Sequence, residues 1–185
     1  MDALAEEDGA LAVCLARRTI DSHILGQSNE MPDLPEVFST QRGVFVTLRR
    51  GEKLRGCIGF SEPVFPLKDA LMKAAVAAAT EDPRFPPVQP DELRQISVEV
   101  TVLTPPEPLS CAPAMRSSHI EPGRHGLIVS GMGRGGLLLP QVATEYGWDA
   151  ITFLDQTCIK AGLPSGCWRQ DNISVQIFEG QIFEE

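Results

Sequence analysis

The chain has 185 residues, of which 43% are hydrophobic and 22% charged, an ordinary globular mixture that excludes wholesale disorder and suits one domain or two small interleaved subdomains. No apolar run approaches the ~20 residues of a membrane span, and the opening MDALAEED lacks a basic stretch followed by an apolar one, so a cytoplasmic location is expected. The formal net charge of −9, from 25 acidic and 16 basic residues, argues against a phosphate backbone as the general partner of this surface.

The charge is unevenly spread. Asp2, Glu6, Glu7 and Asp8 form an acidic N-terminal tail, residues 1–8, and Glu179, Glu184 and Glu185 close the chain. Without these seven acids the body carries 18 acidic against 16 basic residues. Inside it, Arg42, Arg49, Arg50, Lys53 and Arg55 face only Glu52, a local excess of positive charge that marks either a site or a solvated hairpin end.

Leu11, Val13, Leu15, Ile20 and Ile24 recur at helical spacing, which predicts a helix over residues 9–25 closed by Gly26. A polar loop with Pro32 and Pro35 runs over residues 27–41. GVFVTLR (43–49) and LRGCIGF (54–60) then read as a hairpin about Gly51. Alternation assigns Leu54, Gly56, Ile58 and Phe60 to the core face and Arg55, Cys57 and Gly59 to the other, with Arg55 and Cys57 about 6 to 7 Å apart at the backbone. Glycines within a strand mark a bulge or a close approach of backbone or ligand.

Pro66 can open the helix LKDALMKAAVAAAT, whose small residues suit packing on a sheet. The prolines of EDPRFPPVQPDEL prevent regular structure and hold Arg84 and Phe85 on an extended segment. ISVEVTVLT (96–104) is the clearest strand, with Ser97, Glu99 and Thr101 opposite its apolar face. Residues 105–122 form a second proline-rich connector, and nine of the fifteen prolines fall between Pro83 and Pro122. Long shaped loops of this kind are often functional.

In the last third, strands at 126–130 and 136–139 flank the turn GMGRGG, Pro140 opens a short helix ended by Gly147, and Asp149 caps a helix that ends at Gly162. Residues 173–183 return to strand character. Strands in adjacent pairs with helices between them indicate an α+β fold of mainly antiparallel sheet packed with helices.

Gly131, Gly133 and Gly136 satisfy G-x-G-x-x-G, but a strand follows them where a dinucleotide site requires a helix, so they read as a hairpin turn. The five cysteines contain no C-x-x-C, and Cys158 and Cys167 with His119 and His125 match no zinc spacing; no metal site is expected. Cys14 and Cys158 read as small buried hydrophobes. Cys57 differs because Arg55 shares its strand face, and a nearby cation favours the nucleophilic thiolate. His125 or His119 would complete a Cys-His pair, and Glu99 would orient the base or act alone. The alternative is a thiol that only fits a glycine-flanked pocket wall.

LRGCIG (54–59) resembles the signature of the AMMECR domain family. GVFVTL, DPRFPPV (82–88), ISVEVTVLTPPEPL, GRHGLIV, GLLLPQVATEYGWD and FLDQTCIKAGLP followed by Cys167 and Trp168 match in the family's order across essentially the whole chain. The resemblance implies a single domain over residues 1–185 with larger and smaller interleaved subdomains and a cleft lined by LRGCIG. It implies no assigned reaction and no cofactor. It also implies an AmmeMemoRadiSam-type modification system with Memo-like and radical SAM partners.

The signature-bearing positions are Arg55, Gly56, Cys57, Gly59, Asp82, Arg84, Glu99, His125, Pro140, Gln141 and Trp168. Cys57, Glu99 and His125 are the expected catalytic residues. Arg55, Gly56, Gly59, Asp82, Arg84 and Gln141 are the expected substrate-binding set, with the two arginines on an anionic group. The competing reading is a module that presents a ligand to those partners without chemistry of its own. RNA is a weak candidate, because only five basic residues cluster and aromatics make up 6% of the chain, with no stacking platform of interleaved rings evident in the sequence.

Overall fold

The structure is a computed structural model that describes residues 3–28 and 33–185. Asp2 of the expected tail and Pro32 of the first loop lie outside the described residues. The chain divides into two compact units, residues 1–104 with 181–185, and residues 105–180.

The first unit opens with α1, Glu6–Leu25, three residues earlier than the apolar spacing indicates. Glu6, Glu7 and Asp8 form its first turn, where anions complement the free N–H groups, so three of the four acids of the apparent tail belong to the helix. Gly9 lies inside the helix with the Phe183 ring where a Cβ would be. Gly26, at φ 66°, ends it as expected. Within the first loop, Glu36–Ser39 makes a 3-10 turn anchored by buried Phe38.

Strands β1 (Val44–Arg50) and β2 (Lys53–Phe60) form an antiparallel hairpin. Leu48 pairs with Gly56 but Arg49 pairs with Leu54, which leaves Arg55 as the extra residue of a bulge. A bulge shifts the alternation by one residue. Leu54, expected in the core, therefore joins the face of Arg49 and is 36% exposed.

Helix α2 (Leu67–Thr80) packs on β1 and β2 through Ala74, Ala75 and Ala78. Strand β3 (Ser97–Leu103) pairs antiparallel with β1, and Val98, Val100 and Val102 join Val44, Val46 and Leu48 in the core. The segment between α2 and β3, expected to lack regular structure, contains a 3-10 turn, Pro90–Glu92. Gln89 and Glu92 close it as a capping box.

The second unit contains β4 (Glu107–Pro108), β5 (His125–Gly131), β6 (Arg134–Leu138), helices α3 (Pro140–Glu145) and α4 (Ala150–Lys160), and most of β7 (Ser174–Glu184), which returns the chain to the first unit at Gln181. Its strand order is β4-β7-β5-β6. The connector expected over residues 105–122 includes β4 and a 3-10 helix, Pro113–His119.

Met132 at φ 51° and Gly133 at φ 72° form the tight turn between β5 and β6, where both central residues of such a hairpin need positive φ. Leu127, Val129, Phe153, Leu154, Cys158 and Trp168 fill this unit's core. Among the described residues no helix is long and apolar enough to cross a membrane.

Candidate functional site

The neighbourhood of Cys57 begins with the position of β2 at an edge of the sheet. Edge strands leave backbone donors and acceptors unpaired, and the segment after α2 supplies partners for those of Cys57. Its N–H donates to Asp82 Oδ2 at 2.9 Å, and its carbonyl accepts from Arg84 Nη2 at 3.4 Å. Asp82 also accepts from Arg84 three times, from the backbone N–H at 3.1 Å, Nε at 2.9 Å and Nη2 at 2.7 Å. Glu81 caps α2, Pro83 prevents a further turn, and Phe85 N–H donates to Asp82 O, so the acid turns back on to the strand. Asp82 is only 4% exposed, and the Arg84 guanidinium, helped by the Cys57 and Arg84 backbone N–H groups, holds it well below the usual carboxylate range.

On the sheet face, Cys57 stands opposite Thr47 of β1, which stands opposite Glu99 of β3. The outward backbone groups of Cys57 identify its pairing with Thr47 as the non-hydrogen-bonded kind, in which side chains approach closely. Accordingly, the Thr47 hydroxyl donates to Cys57 Sγ at 3.3 Å. Glu99 closes the row and receives Arg49 Nε at 3.2 Å. Cys57 is partly exposed and Thr47 is buried.

The bulged Arg55 is buried. Its Nε and Nη2 donate to the two Glu92 oxygens, each at 2.9 Å, and Glu92 also accepts the Gln89 N–H. The Arg55 bond holds the Glu92 carboxyl down to about 2. The guanidinium carbons of Arg55 and Arg84 lie 5.9 Å and 5.6 Å from the Phe85 ring centre.

The positive cluster read from the sequence is thereby dispersed. Arg42 is buried, Arg49 binds Glu99, Arg50 binds Gln95 and Arg55 binds Glu92. Gly56 and Gly59 serve close backbone packing: a Cβ would strike the Ala78 carbonyl at one and Val44 and Phe45 at the other.

The remaining expected residues belong to the second unit. His125 Nδ1 accepts the Glu121 N–H at 3.0 Å, which leaves the proton on Nε2, 3.8 Å from Glu179. Gln141 is exposed in the first turn of α3, where its carbonyl accepts the Thr144 hydroxyl. Pro140 is buried, as are Trp168, Cys158 and Cys167. The Trp168 indole N–H donates to Asp155. Cys14 is partly exposed where a buried position was expected.

Thr47, Phe85 and Glu92 were missed as site residues. The hairpin register pairs Thr47 with Cys57, and the spacing of Gln89 and Glu92 is that of a capping box. A cleft of about 400 Å³ lined by Arg49, Glu52, Ser97, Glu99, Glu184 and Glu185 borders the same sheet face. Of the acids that close the chain, Glu185 accepts the Val98 N–H and the Arg17 guanidinium.

Fold and site together define an α+β protein with a cysteine clamped on a sheet-edge strand. The AMMECR1 family model matches residues 13–183, and the chain belongs to this family. A protein of Methanothermobacter thermautotrophicus is 55% identical over 185 residues, 98% of this chain and 96% of that protein. Protein MJ0810 of Methanocaldococcus jannaschii is 46% identical over all of this chain and 94% of its own. The crystal structure of the uncharacterized protein PH0010 from Pyrococcus horikoshii is similar, with a TM-score of 0.80 and 47% identity over 98% of this chain and 93% of that one.

Proposed function

We propose that the chain is a component of an AmmeMemoRadiSam-type modification system and that it offers the strand Leu54–Gly59 as a ligand-holding surface, with Cys57 as nucleophile or covalent acceptor. The observation that carries this reading is the charged clamp on Cys57. The carboxylate on its N–H and the guanidinium on its carbonyl complete the strand edge and at the same time fix the position of the sulfur, and a reacting sulfur must be held still. Thr47 supplies a donor to the sulfur, and Glu99 is the acid next in the row. Arg84, with a side chain 54% exposed, is the guanidinium open to an anionic ligand group.

The test is co-expression with a Memo-like and a radical SAM protein, followed by intact-mass analysis of all three chains. A mass change that requires this chain and is lost in a folded Cys57→Ser variant supports the proposal. The same change made by Cys57→Ser at the wild-type rate contradicts it.

A second reading, ligand presentation without chemistry, is favoured by the pairing of Arg55 with Glu92 and Arg84 with Asp82. It leaves neither cation uncompensated beside the thiol. Under this reading Cys57→Ser is silent, while Arg84→Ala weakens ligand retention.

A further inference from the structure

The second unit carries a ladder of three rings that the Cys57 site does not use. It runs from Phe153, fully buried, through partly buried Trp148 to Tyr146, which is 68% exposed. Tyr146 and Trp148 stack with centroids 4.9 Å apart and planes at 17°, and Trp148 lies 6.5 Å from Phe153. Gly147 makes this possible. At φ 64° it ends α3 in the left-handed region, and the Trp148 N–H returns to Ala143 O at 2.8 Å, so residues two apart bring their rings together.

An exposed tyrosine backed by a rigid ring is a large contact surface with little side-chain freedom left to lose, which is the character of an interface anchor. Ile151, 44% exposed, is the nearby aliphatic residue left in solvent.

The charge around the stack selects its occupant. Glu145 and Asp149, both exposed, flank the pair in the sequence EYGWD, and no Lys, Arg or His occurs between Arg134 and Lys160. Asp149 is fixed as the cap of α4, where Oδ1 accepts the Thr152 N–H at 2.7 Å. The segment that carries the stack thus supplies two carboxylates and no cation, which disfavours a phosphate-bearing ring. A guanidinium would find an aromatic face to lie on and carboxylates beside it, and its planar, weakly hydrated form suits that face better than an ammonium does.

We propose that the Tyr146–Trp148 stack with Glu145 and Asp149 is a docking site for an arginine side chain on a basic peptide segment of a protein partner.

Tryptophan emission of the full-length protein reports on the stack, because the chain has two tryptophans and Trp168 is buried. The probe is an acetylated hexapeptide of alternating glycine and arginine, with lysine and citrulline counterparts. The arginine peptide is expected to give a saturable change, to bind about two- to fivefold more tightly than the lysine peptide, and to outcompete citrulline by more.

Tyr146→Ala, at an exposed position and without charge change, should abolish the difference between arginine and lysine, while Tyr146→Phe keeps it. Glu145→Gln with Asp149→Asn, which preserves a capping residue, should weaken both basic peptides. Equal binding of arginine and lysine peptides, or indifference to Tyr146→Ala, overturns the proposal. So does tighter saturation of the same signal by adenosine monophosphate, or self-association that consumes the patch in sedimentation equilibrium.

Discussion

Asp82 holds the backbone N–H of Cys57 at 2.9 Å, across 25 residues of sequence, while the same carboxylate takes three donors from Arg84. One buried acid thus completes the edge of β2 and sets the position of the thiol. Replacing it by Asn leaves an acceptor for Cys57 but turns an amide towards Arg84. Hydrogen bonds to a charged group contribute about 1.5 to 3 kcal/mol, and the exposure of Arg84 places the cost towards the lower end. Asp82→Asn should therefore lower the unfolding free energy by about 1 to 2 kcal/mol in urea denaturation and speed hydrogen exchange at the Cys57 amide specifically.

Glu92 and Arg55 form a two-point pair with both side chains mostly buried, 17% and 10% exposed. Glu92→Gln leaves the Arg55 charge buried without its counter-ion, at a cost of about 3 kcal/mol. The same contact dictates a pH dependence. Asp82 and Glu92 both have folded-state values below the ordinary carboxylate range, Glu92 at about 2, so the stability they contribute is complete above an unfolded value of roughly 4. It is lost as pH falls through the folded values. Urea midpoints should decline from about pH 5 towards pH 2, and the slope should be shallower in Asp82→Asn and in Glu92→Gln.

Gly56 separates a packing role from a conformational one. A Cβ there meets the Ala78 carbonyl of α2, which is backbone and cannot rotate away. Gly56→Ala should cost about 1 to 3 kcal/mol or prevent accumulation of folded protein. Gly51, at φ 59° with open space around it, should cost about 1 kcal/mol as Ala through backbone strain alone. Melting temperatures of the two variants compare these costs directly.

Much of the fold is legible where pattern and period agree. The valines of β3, the alanines of α2, the Asp149 cap and the Gly147 stop all express local chemistry that acts the same way in any context. The first turn of α1 was obscured because Glu6, Glu7 and Asp8 favour a helix N-terminus by charge and interrupt an apolar count.

The Arg55 bulge was invisible for a different reason. Alternation assumes an unbroken ladder, and the glycine beside Arg55 signals an irregularity without saying which residue is extra. The basic cluster misled similarly: like charges close in sequence were drawn apart by Glu92, Glu99 and Gln95, each more than 35 residues distant. Asp82 and Arg84 entered through their motif, but the bond from Asp82 to Cys57 depends on how α2 returns the chain to β2, which no local pattern encodes.

The most direct test of the account is the rate at which iodoacetamide modifies each cysteine of the native protein, followed by peptide mass spectrometry and compared with the same peptides in urea. Burial, together with the neighbouring Cys158 thiol, pushes the Cys167 thiol up to about 12, and Cys158 is fully buried, so both should react only on unfolding. Cys57, partly exposed on the edge strand, should be modified in the folded state well before either, because access as well as thiolate character governs the reaction. A Cys57 as protected as Cys158 and Cys167 would contradict the claim that this strand presents its thiol for chemistry.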